Sequence, residues 1–303
     1  HIHSIQVLTA SLVDAAITSK IPYIITLHDA WWLSIYQFLV NPEGQLVDHT
    51  EPLSGISENE TGVDWIVKRH RRLQRVLSKA NAVVAVSKKF AQLYQEAGVH
   101  NVQVHENYVE PFTNLEPRHQ QTDKIVLGFI GGMSTHKGYD LLKKALQEGH
   151  FPNLLLIVIN HSLHSGEVHY SKWGDTDVEF RAKEKQSEVA KLYAQFDVLL
   201  APSIWPESYG LVTREALQAN LWVIASDRGA IGDCIIEGVN GNIVNVEDHL
   251  GLLTALQNLP AQLEQRNNNE NLSADSDTFT GETMDSHLQQ LVTMYQSVLE
   301  NNN

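Results

Sequence analysis

Two glutamates, Glu207 and Glu215, stand eight residues apart around the start of a predicted helix. Carboxylates accept hydrogen bonds from sugar hydroxyls, and the start of a helix attracts phosphate. The pair therefore predicts a site in which one carboxylate binds a transferred sugar, the other binds a ribose, and the helix start faces phosphate. The alternative is that Glu215 is simply a polar residue that flanks the apolar Ala216 and Leu217.

A second group of residues suits a diphosphate. The apolar run at 124–130 ends in Gly131 and Gly132, and Lys137 follows shortly after. Glycines let the backbone approach a ligand closely, the next helix offers free N–H groups, and the lysine adds a positive charge. The pattern is neither the six-residue dinucleotide fingerprint nor a Walker loop, so a glycine turn with a surface lysine explains it equally well.

Both groups lie where predicted strands end, and parallel sheets bind ligands at the carboxyl ends of their strands. Apolar runs at 124–130, 154–159, 198–201 and 222–225 alternate with helical segments. Continuous apolar strands that alternate with helices are typical of βαβ units and a buried parallel sheet. The predicted fold class is therefore α/β.

An earlier series of the same kind precedes this one. We predict a helix at 5–19, a strand at 23–27, a long loop at 41–62 and a strongly amphipathic helix at 63–80,. A polar stretch without period at 107–123 separates the two series. Further predicted elements are helices at 138–146, 187–196, 249–259 and 284–299, and a solvated loop at 267–271.

The predicted division of the chain has four parts. Residues 1–110 form a partial N-terminal Rossmann-like lobe, 111–123 a linker, 124–275 a C-terminal Rossmann-like lobe, and 276–303 a C-terminal helix, for which packing back on the N-terminal lobe is one arrangement. The opening residues, His1 to Ser4, are typical of the end of a strand that begins outside this sequence. We therefore expect the N-terminal lobe to be incomplete.

Composition excludes several classes of protein. The 22 basic and 36 acidic residues give a net charge of −14, which disfavours general nucleic-acid binding because the phosphate backbone would repel the chain. The single cysteine, Cys234, cannot form an intramolecular disulfide and favours a reducing compartment,. The longest aliphatic run, 154–159, is far shorter than the ~20 residues of a spanning helix. We expect a cytoplasmic protein, with the inner face of the membrane as an alternative location.

The block from 202 to 216 resembles a known signature. Pro202-Ser203, Glu207, Gly210 and Glu215-Ala216 resemble the E-x7-E signature of retaining GT-B glycosyltransferases of the family 4 type. The similarity extends over nearly the whole chain, to about Asp248. Segments that resemble other motifs of this family are the phosphate turn at 131–138, the "nGxlv" segment at 239–244 and the "N-G-V" segment at 107–109.

The resemblance implies a GT-B fold, with two facing Rossmann-like lobes and parallel sheets. It implies that Glu207 contacts the donor sugar, that Glu215 contacts the nucleotide ribose, and that Lys137 neutralises the diphosphate leaving group. The donor site implied in this way comprises Gly131, Gly132, Lys137, Glu207, Ser208, Tyr209, Gly210, Leu211 and Glu215.

The resemblance also extends to the N-terminal lobe. His28 at a strand exit resembles the histidine of the family's T-x-H motif, which lies beside the reacting sugar; with Glu207 and Lys137 it completes the catalytic set implied for this chain. A histidine that only bonds within a strand–loop junction is the alternative. The acceptor-side residues implied are His3, Asp29, Trp31 and Trp32. The two tryptophans suit either stacking on a sugar face or packing in the core.

Departures from the family pattern affect the phosphate turn. Gly132 stands where the family commonly has arginine, so Lys137 must act with backbone amides or with another basic residue such as Arg181.

We expect neither a metal nor a bound cofactor, since basic residues and the helix start replace the metal in this family, and His161, His164 and His169 show no metal-ligand spacing in their polar loop,. The nucleotide diphosphate sugar is a co-substrate.

A helix with many basic residues stands apart from these motifs. Its polar side carries Lys68, Arg69, Arg71, Arg72, Arg75 and Lys79. Such a face suits an anionic lipid or acceptor, and a solvated helix face is the alternative that we favour. Peripheral membrane contact therefore stays open.

The function predicted from these residues is retaining transfer of a hexose from a UDP- or GDP-sugar to an acceptor hydroxyl. The acceptor would be a carbohydrate or a lipid-linked carbohydrate, in polysaccharide or glycoconjugate biosynthesis. Two alternatives are a GT-B sugar-nucleotide epimerase, which the E-x7-E block disfavours, and a non-catalytic module that binds a nucleotide sugar.

Overall fold

The computed structural model describes residues 1–303 apart from 7–8, 57–61, 113–121, 249, 269–282 and 301–303. The chain divides into two compact units. Unit 1 comprises His1–Tyr108, the short segment Trp205–Tyr209 and the C-terminal stretch that holds the last helix, whereas unit 2 comprises Val109–Ile204 and Gly210–Gly281. Most of the predicted linker at 111–123 and residues 269–271 of the predicted loop lie outside the described residues.

Unit 1 is built on a three-stranded parallel sheet in the order β1-β2-β3. Every side chain of β1 and β2 is buried, so these strands read as continuous apolar runs rather than alternating ones,. Ile2 adds a parallel bridge to Ile25 at the open edge of β1. The elements of unit 1 are β1 (Ile24–Leu27), β2 (Ala82–Ala85), β3 (Val102–Val104), α1 (Ser11–Thr18), α2 (Val63–Lys79), α3 (Lys88–Glu96) and α8 (Met284–Glu300).

Unit 2 is built on a seven-stranded sheet in the order β10-β9-β8-β4-β5-β7-β6, in which only β6 runs antiparallel to its neighbour. Its strands are β4 (Ile125–Phe129), β5 (Leu154–Asn160), β6 (Val168–Trp173), β7 (Thr176–Ala182), β8 (Val198–Ala201), β9 (Trp222–Ser226) and β10 (Gly241–Val244). Its helices are α4 (Tyr139–Glu148), α5 (Val189–Tyr193), α6 (Leu211–Gln218) and α7 (Gly251–Asn268). The parallel α/β architecture predicted from the apolar runs is confirmed.

The hairpin of β6 and β7 corrects the sequence prediction, which placed His169 in a polar loop. His169 lies in β6, an edge strand whose first five residues are exposed. Because an edge strand in solvent needs no apolar face, its polar sequence conceals it from an analysis of hydrophobic patterns.

Helix boundaries differ from the prediction at three places. The helix expected at 5–19 begins only at Ser11, because Thr9 has a left-handed backbone conformation with φ of 61°,. The helix expected at 187–196 is a 3₁₀ turn followed by the short α5. The helix expected at 249–259 continues through Pro260 to Asn268, since Leu259 and Leu263 pack on the same core on both sides of the proline.

Candidate functional site

The turn after β4 depends on its glycines. Gly132 and Gly138 have positive φ values of 65° and 82°, which side-chain-bearing residues rarely adopt. A Cβ on Gly138 would lie 1.9 Å from the carbonyl oxygen of Pro202, and one on Gly131 would lie 2.9 Å from the Cβ of Lys137. The backbone of this turn is therefore packed so closely that only glycine fits at Gly138.

The exits of β4 and β8 meet inside unit 2. The hydroxyl of Ser203 and the backbone N–H of Ile204 both donate to the backbone carbonyl of His136, at 3.0 and 2.9 Å. The structure thus brings the predicted phosphate turn against the Pro-Ser start of the block that resembles E-x7-E. Neither contact involves a side chain that the sequence analysis had singled out for chemistry.

The start of α6 is held against a neighbouring turn. Gly210 has φ of 82°, and a Cβ there would lie 2.8 Å from the Cα of Ile231. Thr213 Oγ1 lies 2.9 Å from the carbonyl oxygens of both Gly210 and Ile231. Arg214, which is 7% exposed, donates to the carbonyls of Gly210 and Ala230 at 3.3 and 3.4 Å. These contacts fix the loop from which the first turn of α6 begins.

Arg214 is a residue that the sequence analysis missed. A signal for it existed, because an arginine four residues after a glycine at a helix start can reach back to the carbonyl of that glycine. Its guanidinium is buried within unit 2, so its contribution to this region is to hold the two turns together.

Glu215 is anchored to a buried tyrosine. Its Oε2 accepts a hydrogen bond of 2.8 Å from the hydroxyl of Tyr193, which is fully buried. Burial raises the pKa of Glu215, and the hydrogen bond from Tyr193 opposes this in part. A half-buried carboxylate held through one oxygen is well oriented to accept a hydrogen bond from a ligand hydroxyl.

Glu207 lies in the segment Trp205–Tyr209, which groups with unit 1, whereas Glu215 lies in unit 2. Trp205 anchors this segment in the unit 1 core: its ring meets Phe38 and Phe90 edge to face, with centroid distances of 5.2 and 6.1 Å. Glu207 itself is 6% exposed.

The predicted acceptor-side histidines meet in unit 1. His3 Nδ1 lies 2.9 Å from His28 Nε2, because the bridge between Ile2 and Ile25 sets the N-terminal segment beside β1. Burial lowers the pKa of both imidazoles, and for His28 the neighbouring His3 lowers it further. A hydrogen bond between two imidazoles holds a single proton between the paired nitrogens.

Asp29, predicted on the acceptor side, organises the loop after β1. One carboxylate oxygen accepts from the backbone N–H of Trp31 at 2.9 Å and the other accepts from the side chain of Gln37 at 2.7 Å. Trp32 is 2% exposed within the unit 1 core. Of the two roles that the sequence left open, stacking on a sugar face and packing in the core, this burial favours packing. Trp31 is only partly buried and packs against the edge of that core.

The basic residues of α2 are not uniformly solvated. Arg69 donates to the backbone carbonyls of Trp31 and Ser34. Arg72 forms an ion pair with Asp14 of α1. Among the described residues no helix is long and apolar enough to cross a membrane.

The arginine expected to help Lys137 has partners of its own. Arg181 lies on β7, where it forms an ion pair with Glu179 and donates to Gln195 Oε1 at 2.6 Å. Its charge is therefore compensated within unit 2. Over the ranges that the structure covers, no group of three or more His, Cys, Asp or Glu side chains could hold a metal ion.

Two bacterial proteins are similar to this chain in sequence. An uncharacterized 41.2 kDa protein in the cps region of Klebsiella pneumoniae is 26% identical over 195 residues, which cover 61% of this chain and 53% of that protein. The D-inositol 3-phosphate glycosyltransferase of Rhodococcus erythropolis is 29% identical over 157 residues, which cover 47% of this chain and 35% of that protein. The matches thus span about half the length of these curated relatives or less.

Solved structures share the fold. HepE of Anabaena, in complex with UDP and glucose, has a TM-score of 0.62 at 18% identity over 95% of this chain and 73% of its own. Sucrose-phosphate synthase of Thermosynechococcus elongatus has a TM-score of 0.65 at 18% identity over 96% of this chain and 71% of its own. The fold class is therefore that of the GT-B glycosyltransferases, as the resemblance implied.

The family model described as "Glycosyl transferases group 1" matches residues 112–272, which is more than half of the 303 residues. The match includes the glycine-rich turn after β4, its contact with Ser203, and the anchored Glu215 on α6. The chain belongs to the glycosyl transferases group 1 family.

Proposed function

We propose that the protein is a retaining glycosyltransferase of the family 4 type, which transfers a hexose from a nucleotide diphosphate sugar to an acceptor hydroxyl. The observation that carries this proposal is the contact of Ser203 and Ile204 with the carbonyl of His136. It sets the predicted phosphate turn against the loop that leads to Glu207 and Glu215.

The roles proposed for the donor residues follow from their chemistry. Lys137, the backbone N–H groups near Gly131 and Gly132, and the start of α6 bind the diphosphate. Glu215, held by Tyr193, accepts a hydrogen bond from the ribose. Glu207 binds hydroxyls of the transferred sugar.

In the proposed reaction the bond between the anomeric carbon and the diphosphate oxygen breaks. The acceptor oxygen forms a new bond to that carbon on the same face, and the acceptor proton passes to the departing phosphate. The roles proposed for His28, beside the reacting sugar, and for His3, Asp29 and Trp31, on the acceptor side, are those that the resemblance to the family implies. A lowered pKa keeps His28 neutral near pH 7, so it would act by hydrogen bonding rather than as a cation,.

The donor proposed is a UDP-sugar, with a GDP-sugar as the alternative. HepE and the pneumococcal O-GlcNAc transferase GtfA, which share the fold, are both described in complex with UDP and a sugar. The Klebsiella relative lies in a cps region, which supports a role in polysaccharide biosynthesis. We place this activity in the cytoplasm, at the inner face of the membrane if the acceptor is lipid-linked.

Calorimetric titration of the protein with UDP, GDP and ADP tests the donor site. We expect micromolar binding of UDP, weakened at least tenfold by Lys137→Ala and by Glu215→Ala. Lys183→Ala and Glu184→Ala, which change exposed residues of unit 2, serve as matched controls. Binding of UDP that none of these variants alters would show that the donor site lies elsewhere.

Transfer itself is tested with Glu207→Ala. This variant should lose far more transfer from a UDP-hexose than affinity for UDP, because its carboxylate is proposed to contact the sugar and not the nucleotide. Undiminished transfer would contradict the role of Glu207. Binding of UDP-hexose without turnover by the wild type would favour a non-catalytic nucleotide-sugar module.

A further inference from the structure

Five histidines surround one cavity of about 140 Å³ in unit 1. They are His1, His3, His28, His105 and His287, and we call this cavity the histidine pocket. They come from the N-terminal segment, from the residues after β1 and β3, and from α8. Among the described residues that line the pocket there is no Asp, Glu, Lys or Arg.

The pair His3 and His28 becomes a double donor when it takes up one proton. Its hydrogen bond of 2.9 Å between Nδ1 of His3 and Nε2 of His28 uses one proton and one lone pair,. In the neutral pair, one of the two outer nitrogens carries a hydrogen and the other does not. One added proton makes both outer nitrogens N–H donors, keeps the inner hydrogen bond and leaves the pair with a single positive charge.

The other histidines are held in place by neighbouring groups. His1 bonds through Nδ1 to the hydroxyl of Tyr295 at 2.7 Å and through Nε2 to the hydroxyl of Thr26 at 2.6 Å. His105 Nε2 donates to the backbone carbonyl of His287 at 3.4 Å, and the two rings lie 4.3 Å apart.

We propose that the histidine pocket binds the phosphate group of a small phosphate-bearing ligand, either free phosphate or a phosphate monoester. A phosphate offers three acceptor oxygens and about −1.5 to −2 charges at pH 7, which match the imidazole donors and the side-chain amide of Asn107. The cavity is smaller than the ~300 Å³ or more of a pocket for a drug-sized molecule. It therefore suits an anionic group rather than a whole nucleotide.

The charges around the pocket agree with an anionic ligand. Asp29 follows His28 and its charge offsets part of the lowering of the His28 pKa, while its two carboxylate oxygens accept from Trp31 and Gln37 of its own loop. Glu106, beside His105, and Asp285, near His287, are exposed and do not line the pocket. Burial lowers the pKa of His3 and of His28, so protonation of the pair is favoured only with a compensating anion.

Calorimetric titration with inorganic phosphate at pH 6 and pH 8, in two buffers of different ionisation enthalpy, tests the proposal. We expect binding at pH 6, and binding at least tenfold weaker at pH 8. Net proton uptake by the pair is measured at pH 8, where phosphate is already largely the dianion, because at pH 6 a proton released by phosphate would offset the one taken up by the pair. A second arm uses a hexose monophosphate. Tighter binding of the ester than of phosphate would identify a monoester as the ligand, and the reverse would identify free phosphate. Absence of binding in both arms at pH 6 would overturn the proposal.

Variants locate the bound phosphate. His105→Gln and His287→Gln should each weaken phosphate binding at least fivefold. His100→Gln is the control: His105 follows β3 whereas His100 precedes it, so this variant should leave binding unaltered. Lys137→Ala should also retain phosphate binding; if it does not, the phosphate occupies the glycine-rich turn of unit 2 and the proposal is wrong.

Circular dichroism of each variant reports whether α8 keeps its helix, and His105→Gln tests the site without a change in α8. Because no step needs glycosyl transfer, this outcome is separate from that of the proposed function.

Discussion

The guanidinium of Arg69 lies over the indole ring of Trp31, 4.8 Å from its centroid. Its two terminal nitrogens also donate to the backbone carbonyls of Trp31 and Ser34. This one side chain of α2 therefore holds both the ring and the backbone of the loop after β1, in which Asp29 and Trp31 are proposed to face the acceptor.

Arg69→Gln should lower the free energy of unfolding of unit 1 by about 2 kcal/mol, the usual worth of charge-assisted hydrogen bonds together with a cation–π contact. Urea denaturation followed by tryptophan fluorescence measures this change. Arg71→Gln, at an exposed position of the same helix, is the matched control. Arg69→Lys should recover little, because an ammonium lacks the planar fork that reaches two carbonyls. Equal effects of the Arg69 and Arg71 variants would contradict this role.

Gly138→Ala should destabilise unit 2 strongly, because the added Cβ would meet the carbonyl oxygen of Pro202 at 1.9 Å in a backbone with φ of 82°. We expect a loss of about 4 kcal/mol, as large as severe core substitutions. Gly166→Ala is the control: its φ is 85°, but nothing lies within 4 Å of the added Cβ. That variant should lose only about 1–2 kcal/mol, the cost of the left-handed conformation alone. Thermal unfolding of both proteins distinguishes the clash from the backbone strain.

Glu215 should make the stability of the protein fall as the pH rises. Its pKa in the folded protein is raised by burial, so the folded state holds its proton more tightly than the unfolded state. The resulting stabilisation is complete below the ordinary pKa of a glutamate and is lost as the pH rises through the folded pKa. As the pH rises from the ordinary pKa of a glutamate through the raised pKa of Glu215, the unfolding free energy of the wild type should therefore fall relative to that of Glu215→Gln,. A constant difference across this range would show that the carboxylate titrates normally.

Trp205→Ala should cost about 3–5 kcal/mol, as truncation of a buried aromatic residue does. Because Trp205 anchors the segment that carries Glu207, this variant should also lower the rate of transfer more than it weakens UDP binding. Phe90→Leu alters a residue that packs against Trp205 but leaves the indole and the sequence of the segment in place, and is the milder comparison. Differential scanning calorimetry and a transfer assay measure the two effects. Transfer that falls only in proportion to the folded fraction would argue that Trp205 does not position Glu207.

The sequence by itself determined the α/β class and most strand positions. Strands β1, β5, β8 and β9 are short apolar runs, and a buried parallel sheet requires this composition on both faces,. The glycine-rich turn and the two glutamates were also visible, because strand ends and helix starts are local features. The hairpin of β6 and β7 was not visible, because exposure at a sheet edge removes the apolar pattern.

Only the tertiary structure decided which distant residues meet. His3 bonds to His28 because a single bridge sets Ile2 beside β1, and Ser203 reaches His136 because β4 and β8 are neighbours in the sheet. The grouping of Trp205–Tyr209 with unit 1 depends in the same way on Phe38 and Phe90. Such contacts join residues far apart in the chain, and the packing of whole elements selects them. The local periodicity of a sequence does not specify which elements pack together, so these contacts are known only from the tertiary structure.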